Sequence, residues 1–167
     1  MVSDTVPQAD AGRFHLKERL GYRPGDGVNH ILRDSNRAFA KLLGRKIGTE
    51  ELTMGTWYFL RVLWEKDGIS QRELSRRIGM MEPTTVTAVT MMERDGLARR
   101  RRDPNDRRRR LVYLAERGQA LKDVALPFAH EVELIATSGL SEEELDLLWV
   151  LLGKLKKNLD SAIANEG

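Results

Sequence analysis

The sequence contains no cysteine. Disulfide staples, thiolate metal sites and thiol redox switches are therefore excluded. Histidine is scarce as well. His15, His30 and His130 stand far apart in the chain and form no metal-ligand spacing. No run approaches the roughly 18 consecutive apolar residues that a membrane-spanning helix needs. Residues 1–10 are polar and lack the apolar core of a secretory signal. A cytoplasmic protein without a membrane partner is expected. Catalytic signatures are missing too. Ser, His and Asp occur, but no nucleophile elbow, phosphate-binding loop, dinucleotide fingerprint or metal motif organises them. Neither an enzyme nor a cofactor is expected.

Charge is where the sequence becomes specific. The 167 residues carry a net +3, yet Arg99 to Arg110 alone hold eight arginines and two aspartates. That segment is +6, which leaves −3 for the rest. A mildly acidic body with one very basic finger points to a polyanionic partner. A solvated surface loop is the plainer reading of such a run, so its context matters.

The context is helical. Residues 1–27 read as a flexible arm, with Gly21, Pro24, Gly25 and Gly27 marking a loop. A first helix begins at Val28, with Ile31, Phe39, Leu42 and Leu43 on one face, and stops within Gly44 to Gly48. Thr53 caps a second helix that carries Trp57, Leu60, Leu63 and Trp64 at spacings of three and four. Asp67-Gly68 is a turn. Ser70-Gln71-Arg72-Glu73 fits a capping box and opens a short third helix, which Gly79 stops. Pro83 suits the first turn of a fourth helix, and Gly96 its end. Leu97 to Arg102 and Arg109 to Leu114 then read as extended runs around Asp103-Pro104-Asn105-Asp106, a strong turn signal. A fifth helix runs from about Glu116 to Ser138. Ser141 to Glu144 form a second capping box and open a sixth helix, with leucines at three and four spacing.

Helix, turn, helix and basic hairpin, in that order, suit duplex DNA. A helix fits the major groove, where each base pair shows its own donor and acceptor pattern. The preceding helix braces it and touches the backbone, with Ser70 and Gln71 at its start as the candidates. An arginine hairpin beside it reaches phosphates or a narrow minor groove. On a helical wheel Thr85, Ala88, Val89 and Met92 of the fourth helix share a core side. Thr84, Thr87, Met91 and Arg94 face the other way. Threonines and a methionine are unusual on a purely solvated face, where Glu and Lys are expected.

These residues resemble the MarR-type regulators. Gly68 to Leu74 is similar to the start of their helix-turn-helix, and Glu82 to Thr87 to the start of their recognition helix. Met92 to Leu97, followed by Arg102 to Arg108, resembles the end of that helix and the wing. The resemblance spans about residues 28–159. It implies a mainly α fold with a small β-hairpin wing: a winged helix-turn-helix of about six helices, dimerised through its N- and C-terminal helices. Residues 28–52 and 116–167 would then serve dimerisation and 53–115 DNA binding. It further implies a homodimer on a pseudo-palindromic promoter site in double-stranded DNA, and repression relieved by a small ligand. Carried over by motif, Thr84, Thr85 and Thr87 lie at the groove. Arg107, Arg108 and Arg109 lie at the wing, with Asp106 pairing one arginine to hold its geometry. Such proteins usually carry Thr or Ser as the cap of the helix after the wing. This chain has Ala115 there, so the cap is missing.

Two further expectations follow. The leucine stripe of the last helix is longer than a small core needs, which suits symmetric pairing. An effector would sit between the dimer helices and the DNA-binding lobe, near His30, Arg33, Trp57, Arg61, Trp64 and Phe128. Aromatic walls with an arginine suit an aromatic carboxylate or a thioester. The alternative to a sequence-specific regulator is a non-specific architectural DNA-binding protein.

Overall fold

The computed structural model describes residues 27–106 and 109–165. The expected flexible arm thus lies, but for Gly27, outside the described residues. The chain divides into two compact units between Leu42 and Leu43. Helix α1 (Val28–Ile47) contributes its first part to the first unit, where Val28 and Ile31 are exposed.

The second unit takes α1 from Leu43 onward, and Leu43 and Ile47 are buried. Gly44 does not end the helix. Its missing side chain makes room for Met54, whose Cγ would stand 3.2 Å from a Cβ. Helix α2 (Met54–Glu65) follows, and the Thr53 hydroxyl caps it by accepting from the Thr56 N–H at 3.1 Å. Its buried stripe is Trp57, Phe59, Leu60, Val62 and Leu63. Then come β1 (Ile69–Ser70), α3 (Gln71–Ile78), α4 (Glu82–Arg94), β2 (Ala98–Arg102), β3 (Arg110–Leu114), α5 (Glu116–Thr137) and α6 (Glu142–Asn165).

Helices α3 and α4 are joined by a three-residue turn that glycine makes possible. Gly79 takes the left-handed conformation, and the Met80 N–H reaches back to the Ser75 carbonyl at 3.1 Å. The buried Ser75 hydroxyl donates to the Met80 carbonyl and closes the turn. Gly96 ends α4 in the same way, with the Leu97 N–H on the Met92 carbonyl at 2.8 Å. The hairpin expected from the sequence is two strands of a three-stranded antiparallel sheet, ordered β1-β3-β2. The added strand is two residues long, too short to leave a periodic signal. Ser70 is both its end and the cap of α3.

Helix α5 starts at Ala115 without a side-chain cap, as its sequence implies. Close packing holds this end instead. A Cβ on Gly118 would lie 2.0 Å from the Leu97 carbonyl oxygen, and the Gly118 carbonyl accepts the Trp64 indole N–H at 2.9 Å. Gly118→Ala therefore forces backbone to move. A loss of about 1–3 kcal/mol is expected, read as a lower thermal midpoint. An unchanged midpoint would contradict this packing. Helix α6 is different. Its 24 residues include none that is buried, although the Ser141 capping box forms in both directions, at 2.9 and 3.2 Å.

Candidate nucleic-acid interface

Helix α4 is amphipathic in an uncommon sense. Thr85, Val89 and Met92 are its buried side. Thr84, Val86, Thr87, Thr90, Met91 and Arg94 are exposed. The wheel reading of Thr85 therefore holds, and its placement at the groove does not. Thr85 is fully buried, with its hydroxyl oxygen unpartnered among the described residues. The stripe farthest from the core runs Pro83, Thr87, Thr90, Arg94, in steps of four, three and four. Thr90 was not singled out in the sequence, though the same wheel places it there.

The wing is built from the Asp103 turn. The nearly buried Asp103 accepts the Asn105 N–H at 2.8 Å, and its own N–H reaches the Arg109 carbonyl at 3.0 Å. The Arg109 N–H donates to the Asp106 carbonyl at 2.9 Å. Arg109 is exposed, as are Arg99, Arg101 and Arg102 on β2. Arg107 and Arg108 lie outside the described residues.

One arginine of the finger points the other way. Strand alternation puts Arg100 on the side of Ala98, opposite Val112, against α4. The Glu93 carboxylate accepts from the Arg100 backbone N–H at 2.6 Å, from its Nε at 2.9 Å and from its Nη2 at 2.6 Å. Nη2 also donates to the Thr90 hydroxyl at 2.9 Å. The Arg100 side chain is 17 % exposed and that of Glu93 30 %. This clamp locks β2 to α4, and so sets the angle between wing and helix. Its sequence signal was available: in a strand of five arginine-rich positions, every second residue faces inward.

The guanidinium hydrogen bonds hold the Glu93 carboxyl below the usual carboxylate range. A lowered folded value means that the clamp's stabilisation is complete above the ordinary range and is lost as pH falls through the lowered one. Glu93→Gln removes the charge at all pH values. It is expected to cost about 2 kcal/mol and to loosen the wing, visible as faster amide exchange in β2. Unchanged exchange would refute the clamp.

The first helix of the pair is also braced by charge. Glu73 does not reach back to complete its capping box; only the Ser70 hydroxyl accepts, from the Glu73 N–H at 3.2 Å. Its carboxylate instead takes a two-pronged contact from Arg76, both at 2.9 Å, and a third from Arg77 at 2.7 Å. Arg76 first, then Arg77, pulls the Glu73 carboxyl from 4.5 down to about 2. This support is present above about pH 4.5 and fades as the pH approaches 2. Ser70 and Gln71, the expected backbone contacts, are half-buried at the start of α3. The Gln71 amide nitrogen is shielded from solvent and has no acceptor among the described residues.

The expected effector residues belong to both units. Trp57 and Trp64 meet edge to face, with centroids 5.5 Å apart at 72°. Trp57 is buried, and the half-buried Trp64 donates its N–H to the Gly118 carbonyl. Arg61 is exposed on α2, and Phe128 is half-buried on α5. His30, half-buried, and Arg33, paired with Asp34 at 3.2 Å, belong to the first unit. A cavity of about 480 Å³ opens elsewhere, between α2 and α4. Phe59, Met91 and Met92 line it, with Thr53, Thr56 and Arg117 among its polar groups.

Known proteins are similar to this chain in sequence and fold. The model of the MarR family matches residues 52–109. The HTH-type transcriptional regulator BilQ of Clostridium symbiosum is 30 % identical over 131 residues, covering 78 % of this chain and 89 % of its own. The crystal structure of a probable transcriptional regulator from Pseudomonas aeruginosa superposes with a TM-score of 0.71 at 34 % identity, over 80 % of this chain and 99 % of that one. Bordetella bronchiseptica BpsR, whose DNA binding is regulated by 6-hydroxynicotinic acid, gives a TM-score of 0.69 at 25 % identity, over 77 % and 98 %.

Proposed function

The chain belongs to the MarR family of DNA-binding transcription regulators, and from that premise we propose that it is a homodimeric repressor of a pseudo-palindromic promoter site, released by a small aromatic acid or thioester. The observation that carries the reading is the exposed threonine face of α4, locked by Glu93 and Arg100 to an arginine-covered wing. A groove-reading helix and a phosphate-reaching hairpin are useful together only at a fixed angle, and the clamp supplies it.

Each group takes a role on this reading. Thr84, Thr87, Met91 and Arg94 meet base edges. Arg107, Arg108 and Arg109, with Asp106 shaping the turn, meet the backbone or minor groove. Ser70 and Gln71 meet phosphate at the start of α3, where an anion oxygen would satisfy the shielded Gln71 amide. Residues 53–115 form the DNA-binding part.

Dimerisation falls to residues 28–52 and 116–167. Its support is the bare apolar surface of α6: Leu147, Leu148, Trp149, Val150, Leu151 and Leu159 are all exposed in the single chain. A helix so apolar needs a covering partner. The effector class is supported by BpsR, which responds to an aromatic acid. Arg117 stands beside the apolar wall of Phe59 and Met92, where it pairs with Glu51 at 3.3 Å, so an acid would take the place of the Glu51 carboxylate.

Footprinting on the DNA flanking its own gene tests the reading. Two protected half-sites about one helical turn apart are expected. Uniform protection, or none, would overturn it.

A further inference from the structure

Resting on that reading of α4, we infer that the protein selects its half-sites through the 5-methyl groups of thymine, with Thr87 and Thr90 as the specificity-determining residues. The argument is one of hydrogen-bonding capacity. A threonine hydroxyl has one proton to give. That of Thr87 goes to the Pro83 carbonyl at 3.2 Å, and that of Thr90 to the Val86 carbonyl at 2.9 Å. The Thr90 oxygen also accepts from Arg100. Neither hydroxyl has a proton left for purine N7, guanine O6 or thymine O4.

Ahead of its last residue, Arg94, the helix lacks the other readers of base edges. Bidentate recognition of guanine takes Arg or Lys, and that of adenine takes Asn or Gln. From Glu82 to Glu93, α4 has none of these. Glu93 itself is occupied by Arg100, and Glu82 faces Arg72 at 3.6 Å. Arg94 comes only at the last residue. What the helix presents is methyl and thioether surface: Thr87 and Thr90 on the outermost stripe, flanked by Val86, 44 % exposed, and Met91, 51 % exposed. The base-edge feature that matches it is the thymine methyl group, which cytosine lacks. Backbone-committed hydroxyls also hold these methyls in one rotamer, so they meet the groove pre-aligned.

The test starts with the full chain and a random-sequence duplex library. The best-bound duplex is resynthesised with deoxyuridine for thymidine, which deletes only the methyl groups. An affinity loss of about tenfold or more is expected. Two variants separate methyl from hydroxyl. Thr87→Val keeps the methyl and should bind the thymidine duplex as the wild type does. Thr87→Ser keeps the hydroxyl and should lose about as much as one methyl deletion, with little further loss on the deoxyuridine duplex. Equal binding of the two duplexes would overturn the inference. So would a loss in Thr87→Val with none in Thr87→Ser, which would make the oxygen the reader. If the library enriches no sequence, the regulator reading itself fails and this inference falls with it. An enriched duplex indifferent to uracil sinks the inference alone.

Discussion

Replacing Leu148 and Leu159 together with glutamate is expected to give a folded monomer that binds a palindromic duplex about 10²–10⁴-fold more weakly. Both side chains are open to solvent in the single chain, at 41 % and 57 %. Neither residue belongs to the buried core, so the helical signal should survive. In a dimer each leucine contributes about 1.5–3 kcal/mol if fully covered, and two-fold symmetry doubles the loss. Charges facing their own copies add repulsion. Without the dimer each half-site is bound alone, and the effective concentration of the second reading head is lost. Sedimentation checks the state and fluorescence anisotropy the affinity. A variant that stays dimeric, or a monomer with undiminished affinity, would refute the assignment of α6.

The second large effect divides the arginine finger by position. Arg102 and Arg109 are exposed on either side of the wing turn. Changing both to alanine should weaken specific and random DNA alike, because phosphate contacts position without reading sequence. Each lost contact flattens the slope of log affinity against log salt by about 0.9, so the pair removes roughly 2 per half-site. Arg100→Ala should behave differently. Its guanidinium is held by Glu93 and largely shielded from solvent, so the salt slope should change little. The specific duplex should suffer more than the random one, because the wing loses its angle to α4. Equal slope changes in the two variants would show that Arg100 is a phosphate contact after all.

Much of this was legible in the sequence, and the physical reasons differ by element. The caps at Thr53, Ser70 and Ser141 are local, one hydroxyl meeting one nearby N–H, so residue type and spacing reveal them. The Asp103 turn is local too. Thr85 shows what a motif alone misses: a triplet of threonines spans most of a turn, so one must face the core. Arg100 was hidden for another reason. Arginine is assigned to the surface by composition, whereas its side here is decided by strand register and by a carboxylate seven residues earlier. The third strand depends on a pairing between residues more than forty positions apart. No local pattern records that. The tryptophans are ambiguous in the sequence because a core ring and a ligand wall have the same residue type; in the structure Trp57 is buried and the Trp64 N–H goes to the Gly118 carbonyl.

The central claim is that a two-fold dimer reads duplex DNA through α4. The most direct measurement is an anisotropy titration of the full chain against its footprinted duplex and a scrambled duplex of equal length and composition, at physiological salt, with the stoichiometry determined at saturation. Two chains per duplex and a preference of about 10³-fold or more are predicted. Equal affinity for the two duplexes would contradict the account and make the protein a non-specific architectural binder.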